Sequence, residues 1–227
     1  MKRIVSSVLA LSMTAGIVLT GCSGVDKNFS SDYVVGIMDA SYKGEFKTYM
    51  AITESTEEEA KELYDSTVKY YTESIAMYCE IYTEDISEDI YDEYTSFTEE
   101  LLSKAKYTVS SAENGKDSCY IKVSIKPINI LEQVNDEIET CVAEYNAIFE
   151  QMTEEELAAI SDEEVSEYED EYARNVLEVL KKGSENLEYK ESLDFTMEIL
   201  IDDDGLYAPA NEDDWNTIDD YVMGLYE

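Results

Sequence analysis

The chain has 227 residues, with 53 Asp and Glu against 16 Lys and Arg, a formal charge of −37, and no His. So negative a surface argues against binding nucleic acid phosphates or docking directly on anionic headgroups, and the lack of imidazole excludes triads and metal sites built on His. Nineteen Tyr, five Phe and a hydrophobic content of 44% still supply the core material that a disordered polyanion lacks.

At the N-terminus Lys2 and Arg3 precede an apolar run over residues 4–20 that closes on the small residues Thr20 and Gly21. Diluted by Ser6, Ser7, Ser12, Thr14 and Gly16, the run falls short of the ~20 residues of a comfortable membrane span and reads as an export signal. Leu19-Thr20-Gly21-Cys22 then resembles the lipobox of bacterial lipoproteins: a branched apolar residue, two small residues and a Cys. That resemblance implies diacylglycerol transfer to the Cys22 thiol, cleavage between Gly21 and Cys22, and retention by the lipid on the extracytoplasmic face of the cell membrane. Two acyl chains anchor stably where one holds marginally, at about 0.8 kcal/mol per buried methylene. The expected organisation is a signal peptide over residues 1–21 and a lipidated tether over 22–30. A single acidic domain follows over 31–227, with 31–128 and 129–227 as possible halves. Removal of the signal takes away two basic residues and no acid, so the charge becomes −39.

Along the mature chain, Tyr33, Ile37, Ala40, Tyr42, Phe46 and Tyr49 predict a helix over residues 32–52 that pauses at Gly44. Thr56 with Glu59 is a capping-box pattern that opens the next helix, whose apolar face is read through Leu63, Tyr71, Ile75, Tyr78 and Tyr82. Ile90, Tyr94, Phe97 and Leu101 mark a further helix after Ser87. The period then changes to two: Cys119, Ile121, Val123 and Ile125 alternate with polar residues behind an Asn114-Gly115 turn, the pattern of a β-hairpin. A helix is expected over 130–152. Thr153 with Glu156 and Ser161 with Glu164 open two more, the second ending at Gly183. Leu193 to Ile201 reads as a strand that turns at Asp204-Gly205 into a short return strand over 206–208, and Trp215, Ile218, Val222 and Leu225 give a final helix.

Two hairpins among helices predict an α+β fold, an antiparallel sheet of about four strands packed with several amphipathic helices. By analogy this is similar to nuclear-transport-factor-like and cystatin-like domains. The stretch DASYKGEFKTYMAITESTEEEAKELY also resembles uncharacterised lipoproteins of Gram-positive gut anaerobes.

Candidate chemistry is sparse. The runs Glu57-Glu58-Glu59, Glu154-Glu155-Glu156 and Asp162-Glu163-Glu164 each fall in a predicted first helical turn, where the macrodipole favours negative charge. Asp202-Asp203-Asp204-Gly205 offers several oxygens on a tight turn, although a hairpin turn explains it equally and the ligand pattern of an EF-hand loop is missing. Tyr70, Tyr71, Tyr78, Tyr82, Tyr91 and Tyr94 crowd two helices and are read mostly as core and boundary residues. Of the cysteines beyond Cys22, Cys119 and Cys141 sit on predicted inward faces, as buried thiols or as a pair, with Cys79 left over.

No catalytic residue, metal ligand or cofactor is therefore nominated beyond the diacylglycerol on Cys22. The expected role is a ligand- or protein-binding module tethered to the bilayer through Cys22, with no nucleic acid partner. The alternatives are a carboxylate-based hydrolase of the envelope and a subunit of a larger envelope complex.

Overall fold

The computed structural model describes residues 27–114, 118–201 and 207–225. The signal peptide, the lipobox and both hairpin turns, at Gly115 and at Asp202 to Gly205, lie outside the described residues. The elements run α1 (Lys27–Lys43), α2 (Phe46–Thr53), α3 (Glu57–Tyr78), α4 (Glu88–Ser103), β1 (Lys106–Asn114) and β2 (Ser118–Lys126). Then follow α5 (Ile130–Gln133), α6 (Asn135–Glu150), α7 (Glu154–Leu157), α8 (Asp162–Ser184), β3 (Leu193–Ile201), β4 (Tyr207–Pro209) and α9 (Asp213–Met223). The fold is α+β, with one antiparallel sheet in the order β1-β2-β3-β4.

The chain forms two compact units, with boundaries inside α3 after Val68, inside α4 after Leu101, and at 128/129 and 188/189. The first unit holds the sheet. On β2, Cys119, Ile121, Val123 and Ile125 are buried while Tyr120 and Lys122 are exposed, so the two-residue period of the sequence becomes the two faces of the pleat. Tyr120 opposes Glu198 and Ile121 opposes Met197, which pairs apolar with apolar on the inner face. α1 packs on β1 and β2, and α9 on β2 and β3, with Trp215, Ile218 and Val222 buried. Gly44, at φ 65, lets the chain leave α1 and enter α2 two residues later. α1 begins at Lys27, so the last four residues of the expected tether form its first turn.

The second unit is helical, with α5 and α6 each packed on α8. Ring contacts join Tyr145 and Phe149 of α6 to Tyr168 and Tyr172 of α8, with centroids 4.8 to 5.6 Å apart. Ile138, Val176, Leu177 and Leu180 are buried.

Four local expectations need correction. The helix expected over 130–152 is two helices, because Val134 adopts φ −117 and interrupts it. Gly183 does not end α8, which continues to Ser184. It is needed for close approach, since a Cβ there would lie 2.5 Å from Val134 Cγ1 and 3.0 Å from Ile130 Cδ1. The first half of α8 has no fully buried residue, Tyr168 being half-buried: the buried residues begin at Tyr172, and Val165, expected on the inner stripe, is 39% exposed. α3 ends at Tyr78, so Tyr82 is not on it, and both rings face solvent.

Candidate functional site

All three acidic runs open helices. Glu59, Glu156 and Glu164 each accept the backbone N–H and the hydroxyl of the residue three before, at 2.8 to 3.0 Å. The cap hydroxyl in turn accepts the N3 backbone N–H, at 3.2 Å for Thr56 and Thr153 and 3.3 Å for Ser161. The backbone donor, then the hydroxyl, holds each carboxyl below the usual range. These carboxylates do structural work at helix starts.

Asp219 of α9 is the one buried carboxylate among the described residues, and Tyr42 Oη donates to its Oδ1 at 2.6 Å. Nearby, Asp39 Oδ1 accepts from Tyr107 Oη at 2.5 Å and Lys43 Nζ at 2.9 Å, with Lys43 4.2 Å from the Tyr107 ring centroid. Burial, then the bond to Asp39, pushes the Tyr107 phenol well above its ordinary range. This network pins α1 to β1. Glycoside hydrolysis needs two carboxylates flanking an open cleft, about 5 to 9.5 Å apart. Here one carboxylate is closed in beneath a tyrosine and the other is tied to a lysine and a tyrosine. No three His, Cys, Asp or Glu among the described residues come together as a metal-holding group.

The tyrosines of α3, α4 and the turn between them range from buried to exposed, with Tyr64, Tyr70 and Tyr91 half-buried. Tyr71 and Tyr94 are buried, and the Tyr94 hydroxyl donates to the Ala173 carbonyl at 2.8 Å instead of reaching water. Tyr78 and Tyr82 are 42% and 63% exposed, beside Met77 at 54%. Cys79, Cys119 and Cys141 all stand as thiols; Cys79 and Cys119 are buried and Cys141 is half-buried. Burial, then the neighbouring Cys141, pushes the Cys79 thiol up to about 12, so it is a poor nucleophile at neutral pH.

A shallow groove of about 310 Å³ lies between α4 and α8 in the second unit. It is lined by Asp92, Glu93, Ser96, Phe97, Glu100 and Lys181. Lys181 Nζ donates to Glu93 Oε2 at 3.0 Å across it, with both side chains about half exposed. The groove is at the small end of the range for ligand pockets. Its lining sets three carboxylates against Lys181, and Phe97 is buried.

Sequence reasoning missed Asp219 as a buried partner: position 219 lies one turn after Trp215 on the same helical face, but a carboxylate was not counted among the apolar core positions. It also missed the exposed turn after α3. No Gly or Asn marks the place, where Glu80 takes the left-handed conformation.

Sheet, flanking helices and helical unit together define an α+β arrangement that occurs in a solved structure. The crystal structure of a candidate lipoprotein, YcdA, from Bacillus subtilis subsp. subtilis str. 168 is similar to this chain with a TM-score of 0.55 at 13% identity, over 86% of this chain and 56% of that one. This chain thus spans little more than half the length of that protein. At this identity the likeness is one of fold. No family model and no curated protein matches the chain.

Proposed function

We propose that the chain is an extracytoplasmic lipoprotein, held at the membrane by a diacylglyceryl group on Cys22 and serving as a protein-binding module. The observation that carries the anchor is the sequence Leu19-Thr20-Gly21-Cys22 behind a basic start and a short apolar run. Two further points support it. No described helix is long and apolar enough to cross a membrane, and the fold is similar to that of YcdA, itself named as a candidate lipoprotein. Binding is favoured over hydrolysis because the one buried carboxylate among the described residues, Asp219, is bonded to Tyr42 and Asp39 is tied to Lys43 and Tyr107, whereas exposed aromatic and acidic groups gather on the helical unit.

The anchor is tested by Cys22→Ser in cells fed an alkyne fatty acid. The expected result is unprocessed precursor without label, and a variant labelled like the wild type removes the proposal. Crosslinking in the native envelope followed by peptide mapping tests binding. Crosslinks confined to the second unit are expected, and their absence at every exposed residue of the chain would remove the binding reading.

A further inference from the structure

We infer that the turn closing α3, with Met77, Tyr78, Glu80 and Tyr82 outward, is a docking surface for a Lys- and Arg-rich segment of a partner protein. The inference rests on the reading of the chain as a binding module and assigns that role a place and a partner chemistry.

Exposure is the first argument. Of the seven large apolar or aromatic side chains exposed among the described residues, Met77, Tyr78 and Tyr82 lie within six positions of one another. The second is rigidity. Helix α3 closes with the Ile81 N–H on the Ala76 carbonyl at 2.9 Å and the Glu80 N–H on the Met77 carbonyl at 3.1 Å, the six-to-one and five-to-two bonds of a Schellman ending. Cys79 and Ile81 are buried, the Tyr172 hydroxyl donates to the Cys79 carbonyl at 2.5 Å, and Glu80 is held at φ 60 between them. A turn fixed from beneath presents its outer side chains at little further cost in ordering when a partner arrives.

Charge selects the occupant. No Lys or Arg occurs between Lys69 and Lys104, while Glu80 is exposed in this turn and Glu84 and Asp85 in the one that follows it. A second copy brings the same acidic surface, and anionic lipid brings phosphate, so both meet repulsion. A Lys- or Arg-rich segment meets attraction twice, from the carboxylates and from the faces of Tyr78 and Tyr82, on which a guanidinium or ammonium stacks. Its aliphatic stems cover Met77.

The test uses the full mature chain in detergent and a dansylated peptide of Lys, Arg and Ser, read by anisotropy, with a Glu-for-cation peptide as comparison. The cationic peptide should bind, the acidic one should not, and Kd should rise by about ten-fold between low and physiological salt. Met77→Ser with Tyr82→Ser removes no charge and should weaken binding by about ten-fold or more. Tyr120→Ser with Leu200→Ser, at two similarly exposed positions of the sheet, should leave Kd within about two-fold. Circular dichroism checks that both double variants fold. Equal binding by both double variants overturns the inference, because the peptide is then condensing on a polyanion without a site. So does a sedimenting dimer, or binding to phosphatidylglycerol vesicles, that the Met77/Tyr82 variant alone abolishes. Envelope crosslinks that map to another surface would remove this docking site while leaving the binding reading in place.

Discussion

The two units share a chain but not a charge. The helical unit, residues 69–101 and 129–188, carries 29 Asp and Glu against four Lys and Arg, while the rest of the chain shares 24 acids and 12 bases. A net charge of magnitude about 2 to 8 keeps a small domain soluble, so the excess on the helical unit goes beyond that need and imposes self-repulsion. The sheet unit spends its polar groups differently. Its Lys122 pairs with Asp194 at 2.7 Å across the outer face, and its buried Asp219 is bonded to Tyr42. The sheet unit is built around a continuous apolar layer. The helical unit balances a narrow apolar stripe against a wide acidic surface, and the first half of α8 has no fully buried residue.

Core truncation should give the largest effects and test whether the two units are equally well packed. Ile121→Ala in β2 and Leu177→Ala in α8 each empty a buried position and should cost about 2 to 5 kcal/mol in urea unfolding. Trp215, the single Trp, lies in the sheet unit, so its fluorescence follows the first variant, and hydrogen exchange over 172–180 follows the second. Salt should recover more stability for Leu177→Ala, because screening relieves the acidic surface around it. Equal recovery in both variants would break the contrast of charge.

Next in size come two buried tyrosine hydroxyls with different acceptors. Tyr42→Phe takes a donor from the Asp219 carboxylate and should cost about 1.5 to 3 kcal/mol, whereas Tyr94→Phe leaves the neutral Ala173 carbonyl and should cost about 1 kcal/mol. Comparable losses in urea unfolding would show that the Asp219 charge is compensated by groups other than Tyr42.

Legibility in the sequence follows the same division. In the sheet unit the alternation of Cys119, Ile121, Val123 and Ile125 against Tyr120, Lys122 and Ser124 made the buried face legible, while the register against β3 was not, because a shift of two residues keeps the same faces. Capping boxes were equally plain, since Thr153 and Ser161 have only local partners to find. Helix endings and stripes in the helical unit were not. Tyr78 and Tyr82 keep the helical spacing of Tyr71 and Ile75, yet the chain turns at Cys79, and only tertiary burial of Cys79 and Ile81 decides that. Glu80 in a left-handed conformation hides the turn from sequence, where Gly or Asn would announce it. The candidate surface was therefore visible as a list of tyrosines but not as a place.

That same glutamate has a counterpart in the sheet unit, Glu54 at φ 53 after α2. Glu54→Gly and Glu80→Gly should each raise stability by about 1 kcal/mol, since glycine adopts this conformation without a Cβ clash, a gain partly offset by its freer unfolded chain. Only Glu80→Gly should also weaken the cationic peptide. Weakening by both would mean that charge anywhere on the chain suffices.

The smallest effect concerns the caps, one of which, at Thr56, belongs to the sheet unit and two to the helical unit. The carboxyls of Glu59, Glu156 and Glu164 are held below their ordinary value by the backbone donors they accept. Each contributes stability that is present at neutral pH, above the unfolded value, and is lost as pH falls through the lowered one. Gln in the same place keeps an oxygen for the backbone N–H but cannot titrate. Glu156→Gln with Glu164→Gln should therefore change stability little at pH 7 and flatten its fall between about pH 5 and 3, and Glu59→Gln should do the same to a smaller degree because it removes one titrating cap instead of two. If urea unfolding across that window keeps the wild-type slope in the double variant, the helical unit's caps have no share in the acid sensitivity of the fold.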